Sequence, residues 1–297
     1  MAIFSYTLAQ LIEKLHYQMT GYWKSGTATD GSTTTVEDTD RRETDDYFQN
    51  TIPASRFYIV TTTDTAAPSG EEATASDWVQ STGTVTVAPA YSVAPGAGDT
   101  YCILSEYTWE EMANAINMAI DIVAEDALVW SVDTTTITLV AATYEYNLPT
   151  TMMYVYRFTM GDADDGFDDQ PAIPPDQWSI VHSSTPMVHF GLFPYYQRHS
   201  GHPYGELWAE TDLTADRKIR IEGIATPATL STNTATSSIS PAYLVYQAAA
   251  LLHESRAIDN DSDLHRVRAE LCQKRADIER ARVVGVQLPP NARRVRE

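Results

Sequence analysis

Long apolar runs are absent from these 297 residues. No stretch approaches the roughly 20 residues that cross a bilayer as a helix, and Met1 to Thr7 has neither the basic start nor the apolar core of an export signal. The expectation is a chain that is neither exported nor inserted in a membrane. Cysteine is nearly missing: Cys102 and Cys272 are the only two. That excludes a disulfide framework and a four-cysteine zinc site, and both thiols read as small buried fillers in a reducing compartment. Positive charge is scarce, with 20 Lys and Arg against 40 Asp and Glu, a net −20. Such a surface is excluded from gripping nucleic acid over a wide area.

What is present is a globular balance. Hydrophobic residues make up 43%, charged residues 20% and aromatic residues 10%, enough apolar surface to offset the entropy of ordering. The length calls for two or three compact units. Charge is also divided unevenly. From Arg256 onward ten basic residues outnumber seven acidic ones, leaving the preceding body with ten basic and 33 acidic residues. A basic end on an acidic body suggests docking on a surface of opposite charge.

Four segments carry helical periodicity. The first runs from Thr7 to Tyr22 with Leu8, Leu11, Ile12, Leu15 and Met19 on one face, opened by a Thr7/Gln10 capping box. The second starts at Thr108 with Glu111 three residues on, and its stripe holds Trp109, Met112, Ala113, Ile116, Ala119, Ile120 and Val123. Ser240-Pro241 opens the third, with Leu244, Val245, Ala248, Leu251 and Leu252. The fourth follows the Asp-rich break at Asp259 to Asp263 and carries Leu264, Val267, Leu271, Ile278 and Ala281.

Between the helices lie Thr/Ser/Gly-rich stretches with short β-type runs: 57–60, 84–87 and 101–104, then 136–139, 153–156 and 218–221. The expected fold class is α+β. A discontinuous helical bundle (1–30, 106–132 and 239–285) would carry a small β insertion (31–105) and a larger β-sandwich or barrel (133–230). Residues 232–238 read as a polar linker back to the bundle. Residues 286–297, with Pro289-Pro290 and Arg293, Arg294 and Arg296, read as an extended basic tail, mobile in the free subunit.

Few residue groups invite a chemical reading. Asp162, Asp164, Asp165, Asp168 and Asp169 crowd one loop, but Gly166 is misplaced for a calcium-binding helix-loop-helix and the bidentate glutamate is missing. His182, His189, His199 and His202 lack the spacing of a zinc helix, and His182-Ser183-Ser184 lacks a nucleophile elbow. Pro95 to Asp99 resembles a phosphate-binding turn but precedes a strand. Aromatics dense at 144–156 and 190–204 suit a core, or stacking on sugars. No cofactor, metal or catalytic residue is expected, and the chain reads as no enzyme.

The order of pieces resembles the head-to-tail connector, or adaptor, proteins of tailed bacteriophages. The likeness rests on Gly98 to Leu104, on Trp109 to Asn117, and on Ala242 to Leu252 followed by a charged helix. It implies a structural virion protein made in the host cytoplasm and located at the neck. There it would form a ring of twelve copies beneath the portal protein and meet a neck or terminator protein on the tail side, with no membrane partner. DNA would pass the channel without tight binding. Pro289, Pro290, Arg293, Arg294 and Arg296 are the expected portal-binding residues. The alternative is a tail or spike component whose β-sandwich binds host carbohydrate.

Overall fold

A computed structural model describes residues 5–51, 53–63, 68–140, 143–161, 166–167, 172–190, 218–260, 263–283 and 288–295. The fold is α+β, with four helices and several antiparallel sheets among the described residues, none closed into a barrel. The chain divides into two compact units, residues 1–123 with 229–283 and residues 124–228 with 284–297.

In the first unit, helix α1 (Leu8–Thr20) starts where the capping box places it. The Thr7 amide donates to Gln10 Oε1 at 3.0 Å and the Gln10 amide to Thr7 Oγ1 at 3.2 Å. It stops at Gly21, whose φ of +78° a side chain would strain. Helix α2 (Trp109–Val123) opens on a second reciprocal box between Thr108 and Glu111. Helix α3 (Pro241–Asn260) buries Tyr243, Leu244, Ala248, Ala249 and Leu252 and lies against α1, α2 and α4 (Asp263–Arg280). Its alanines allow close helix approach, and it packs against the other three helices.

The β part of this unit is one seven-stranded sheet. Its strands are β2 (Lys24–Thr27), β3 (Asp30–Ser32), β4 (Thr35–Glu37), β5 (Arg56–Thr61), β6 (Glu72–Val79), β7 (Thr84–Ala88) and β8 (Thr100–Leu104), in the order β2-β8-β5-β6-β7-β4-β3. A short pair, β1 (Tyr6–Thr7) with β15 (Thr236–Ser237), ties the start of α1 to the segment before α3. Phe48, Phe57, Ile59, Trp78, Tyr101 and Ile103 centre the sheet's core.

The sequence suggested a separate insertion for 31–105, whereas the sheet shares a unit with the helices. The side chains explain the difference. The Tyr58 ring of β5 stacks on Trp109 of α2 at 4.0 Å and 8°, and its hydroxyl meets the Asn233 amide at 3.1 Å. Glu72 of β6 accepts the Trp109 amide at 2.9 Å and pairs with Arg56 at 3.5 Å.

The second unit holds two sheets around one core. One has the order β16-β11-β14-β9, from β9 (Val129–Thr138), β11 (Met152–Met160), β14 (Lys218–Ala225) and β16 (Arg293–Arg294). The other is β10-β13-β12, from β10 (Glu145–Asn147), β12 (Trp178–Val181) and β13 (Met187–Phe190). Ile137, Val155, Phe158, Trp178, Val188, Phe190, Ile219 and Ile221 fill the space shared by their inner faces. Of the two architectures left open by the sequence, no closed barrel forms among the described residues.

The tail departs most from expectation. Residues 293 and 294 form β16 on the edge of β11, in register Val155↔Arg293 and Tyr154↔Arg294. Val295 is 1% exposed in the core, and its amide donates to the Met153 carbonyl at 2.8 Å. One aliphatic side chain at the right spacing, and a strand edge needing partners, order a segment whose composition looked too polar to fold.

Candidate assembly surfaces

Among the described residues, no assembled reactive site emerges from the groups flagged above. Cys102 and Cys272 are free and buried, and burial raises both thiols. At the 95–99 turn the Asp99 carboxylate accepts the amides of Gly96 (2.8 Å) and Thr63 (2.7 Å). The chain's own anion thus occupies the place a phosphate would need. His189 stands across the strand pair from Glu145, 3.5 Å away, while His182 is exposed. The Ser183 hydroxyl donates to the Thr185 carbonyl. His199, His202 and the five aspartates of 162–169 lie outside the described residues. Among the described residues no group of His, Cys, Asp and Glu is arranged to hold a metal, and no helix is long and apolar enough to cross a membrane.

A cleft rich in charge among the described residues is a closed network. Tyr101 donates to Asp38 Oδ2 at 2.6 Å, Arg41 Nε donates to the Tyr101 hydroxyl at 2.9 Å, and Glu43 takes Arg41 at 3.2 Å and Lys24 at 3.4 Å. Gly26 lies against it so closely that a Cβ would fall 2.5 Å from Asp38 Oδ2. These groups satisfy one another, so the network locks β2 to β8 and the loop after β4.

A second polar cluster joins α3 to α4. His253 is 3% exposed, with its Nδ1 3.1 Å from His265 Nδ1, and Tyr107 lies at 3.4 Å. Burial lowers the His253 pKa to about 4, and the neighbouring His265 and Arg268 push the same way. Alongside, Gln247 and Gln273 exchange amide hydrogen bonds of 3.0 and 3.2 Å. The face of α4 toward α3 is therefore small and polar, with only Cys272 and Ala276 buried.

The apolar residues of α4 point the other way. Leu264, Val267, Leu271 and Ile278 are 58%, 55%, 55% and 60% exposed. The sequence marks that stripe as the apolar positions of the helix and leaves open what covers it. The stripe faces outward, because α4 covers α3 with its small residues. Helix α2 adds Met118 and Ile122, at 53% and 43%, on its own outer face. Surfaces of this kind on an otherwise polar helix mark contact with another protein.

Of the five expected tail residues, Arg293 is already engaged. Its guanidinium reaches the carbonyls of Trp178 and Pro175 and lies 4.1 Å over the Trp178 ring. Pro290 and Arg294 are exposed and Pro289 is half-buried, while Arg296 lies outside the described residues. Among the described aromatics of this unit Trp130 is 52% exposed, with Tyr156 edge-on at 5.3 Å, and Phe158, Trp178 and Phe190 are core; the aromatics of 191–204 lie outside the described residues.

Comparison with protein families matches residues 74–294 to the family described as SU10 adaptor protein. The match takes in α2, α3, α4, the second unit and the tail strand. No curated protein matches the chain.

Proposed function

The chain belongs to the SU10 adaptor protein family, a family of phage adaptors, and from that premise we propose that copies of it form a ring beneath the portal and join the DNA-filled head to the tail. The observation that carries this reading is the family match across 74–294. It takes in the exposed aliphatics of α2 and α4 and the tail residues Pro289, Pro290, Arg293 and Arg294. The exposed aliphatics of α2 and α4 suit contacts between subunits, and the acidic body suits a channel that must release DNA rather than hold its phosphates.

The tail strand has a defined part in this proposal. Arg293 anchors the segment to its own subunit, and Pro289, Pro290, Arg294 and Arg296 supply the surface that meets carboxylates on the portal. The prolines keep that surface extended, and binding weakens as salt screens the arginines. A tail-side neck or terminator protein takes the opposite face of the ring. Among the described residues the carbohydrate alternative finds Trp130 as its exposed aromatic platform.

Co-sedimentation of the full chain with purified portal protein tests the reading. The expected result is a ring that binds the portal and weakens tenfold or more when Arg294 and Arg296 are changed to Glu. Absence of binding at every salt concentration would overturn it.

A further inference from the structure

The outward face of α4 has an order that its exposure alone does not explain. Leu264, Leu271 and Ile278 recur every seven residues, with Val267 and Lys274 three places after the first two. This is the a/d seam of a heptad repeat, continuous along the helix and turned away from α3. From Leu264 to Ile278 it runs about 21 Å at 1.5 Å per residue.

The flanking positions are sorted by sign. One edge, position e, is Arg268 and Arg275, continued by Arg282 in the turn after the helix; the other, position g, is Asp263, Glu270 and Asp277. All six are exposed. Sorting of this kind selects an orientation. Two such helices laid parallel bring the g edge of one against the e edge of the other: Asp263 to the second copy's Arg268, Glu270 to its Arg275, Asp277 to its Arg282. Laid antiparallel, they would set arginines on arginines and carboxylates on carboxylates.

We propose that the occupant of this seam is a second copy of the same chain, its α4 parallel to the first, with the basic edge of one helix on the acidic edge of the next. The inference deepens the ring reading and rests on it, because copies related by a ring axis parallel to α4 present that helix in one direction. Offset toward one edge, as a ring requires, the contact joins the acidic edge of one copy to the basic edge of the next and leaves each copy's other edge for its other neighbour, so it can be passed from subunit to subunit until the ring closes. Lys274 at a d position disfavours a closed, dry two-stranded pairing and fixes register. The seam covers little more than two heptads, too short to hold two subunits together firmly. It therefore acts where copies are already gathered, as on a portal, and raises the local concentration of each for its neighbour.

The test is a charge exchange on the full chain. One variant carries Arg268→Glu, Arg275→Glu and Arg282→Glu; another carries Asp263→Arg, Glu270→Arg and Asp277→Arg; a third carries all six changes. Association is read by sedimentation with and without portal protein, and the melting temperature of each variant checks that these exposed changes leave the subunit folded. Each single-edge variant should assemble at least tenfold more weakly than the natural chain. Mixing the two, or combining all six changes in one chain, should restore assembly. If single-edge variants form rings on the portal as the natural chain does, or if the six-change chain fails to recover, this pairing is wrong while the adaptor reading stands. If the natural chain neither associates nor binds the portal, both fall together.

Discussion

At the scale of single residues, Val295 holds more of the second unit than a lone aliphatic among arginines ordinarily would. Its side chain is fully buried beside Val155 and Phe158, so Val295→Ala should cost about 2 kcal/mol of unfolding free energy, and Val295→Asp should release β16 altogether. Denaturant melts, with protease cleavage near residue 290 as a second readout, would show it; unchanged cleavage in the Asp variant would contradict the docked strand. Nothing in the sequence marked Val295. It is one aliphatic among arginines, and only the free edge of β11 gives it a place.

His253 gives a pH dependence with a definite sign. Its folded pKa is lowered to about 4 from an ordinary 6.5, so as pH falls the unfolded chain takes up the proton first. Stability is full above about 6.5 and is lost progressively down to about 4. His16, fully buried in α1 and also lowered by burial, adds to the same trend. The groups around His253 are His265, Tyr107, Glu106, Arg256 and Arg268. His253→Gln should shrink the drop in melting temperature between pH 7.5 and 5. An unaltered drop would assign the acid sensitivity elsewhere.

At the scale of elements, the helix starts were legible because capping boxes are local chemistry. Thr7 with Gln10 and Thr108 with Glu111 read directly from the chain, and both form. Replacing Thr108 with Ala should cost about 1 kcal/mol, measurable by urea unfolding; a loss near zero would mean that Glu111, held by Arg256 at 3.1 Å, does the capping alone. Strands β5, β7 and β8 were legible from their β-branched and aromatic runs. The short Gly- and Ser-bearing strands β2 and β3 were not, since their pairing comes from neighbours rather than propensity. Periodicity found α4 and its apolar stripe but not which side of the helix the rest of the chain would cover. A heptad gives the same signal whether its partner is in the same chain or another.

For the whole molecule, contacts between distant segments outweighed the order of segments along the chain. The 31–105 region reads as an insertion, yet Tyr58 on Trp109 and Glu72 at the start of α2 place its sheet with the helices in one unit. The second unit, by contrast, gathers 124–228 and the tail. Replacing 124–228 by a short Gly/Ser bridge and ending the chain at 283 should therefore leave a soluble first unit that melts cooperatively, as calorimetry would reveal. Aggregation of that product would mean that the two units fold only together. Keeping the tail while removing its strand partner β11 should be worse than removing both, because Val295 would then be exposed.

The central claim is the place of this chain in the particle: a ring at the neck, between portal and tail. Cryo-electron microscopy of intact virions in which this chain carries a dense label at its amino terminus tests it most directly. The account predicts label arranged around the axis at the neck, in a ring of subunits in contact with the portal. Label on the tail fibres, or spread over the capsid shell, would contradict it.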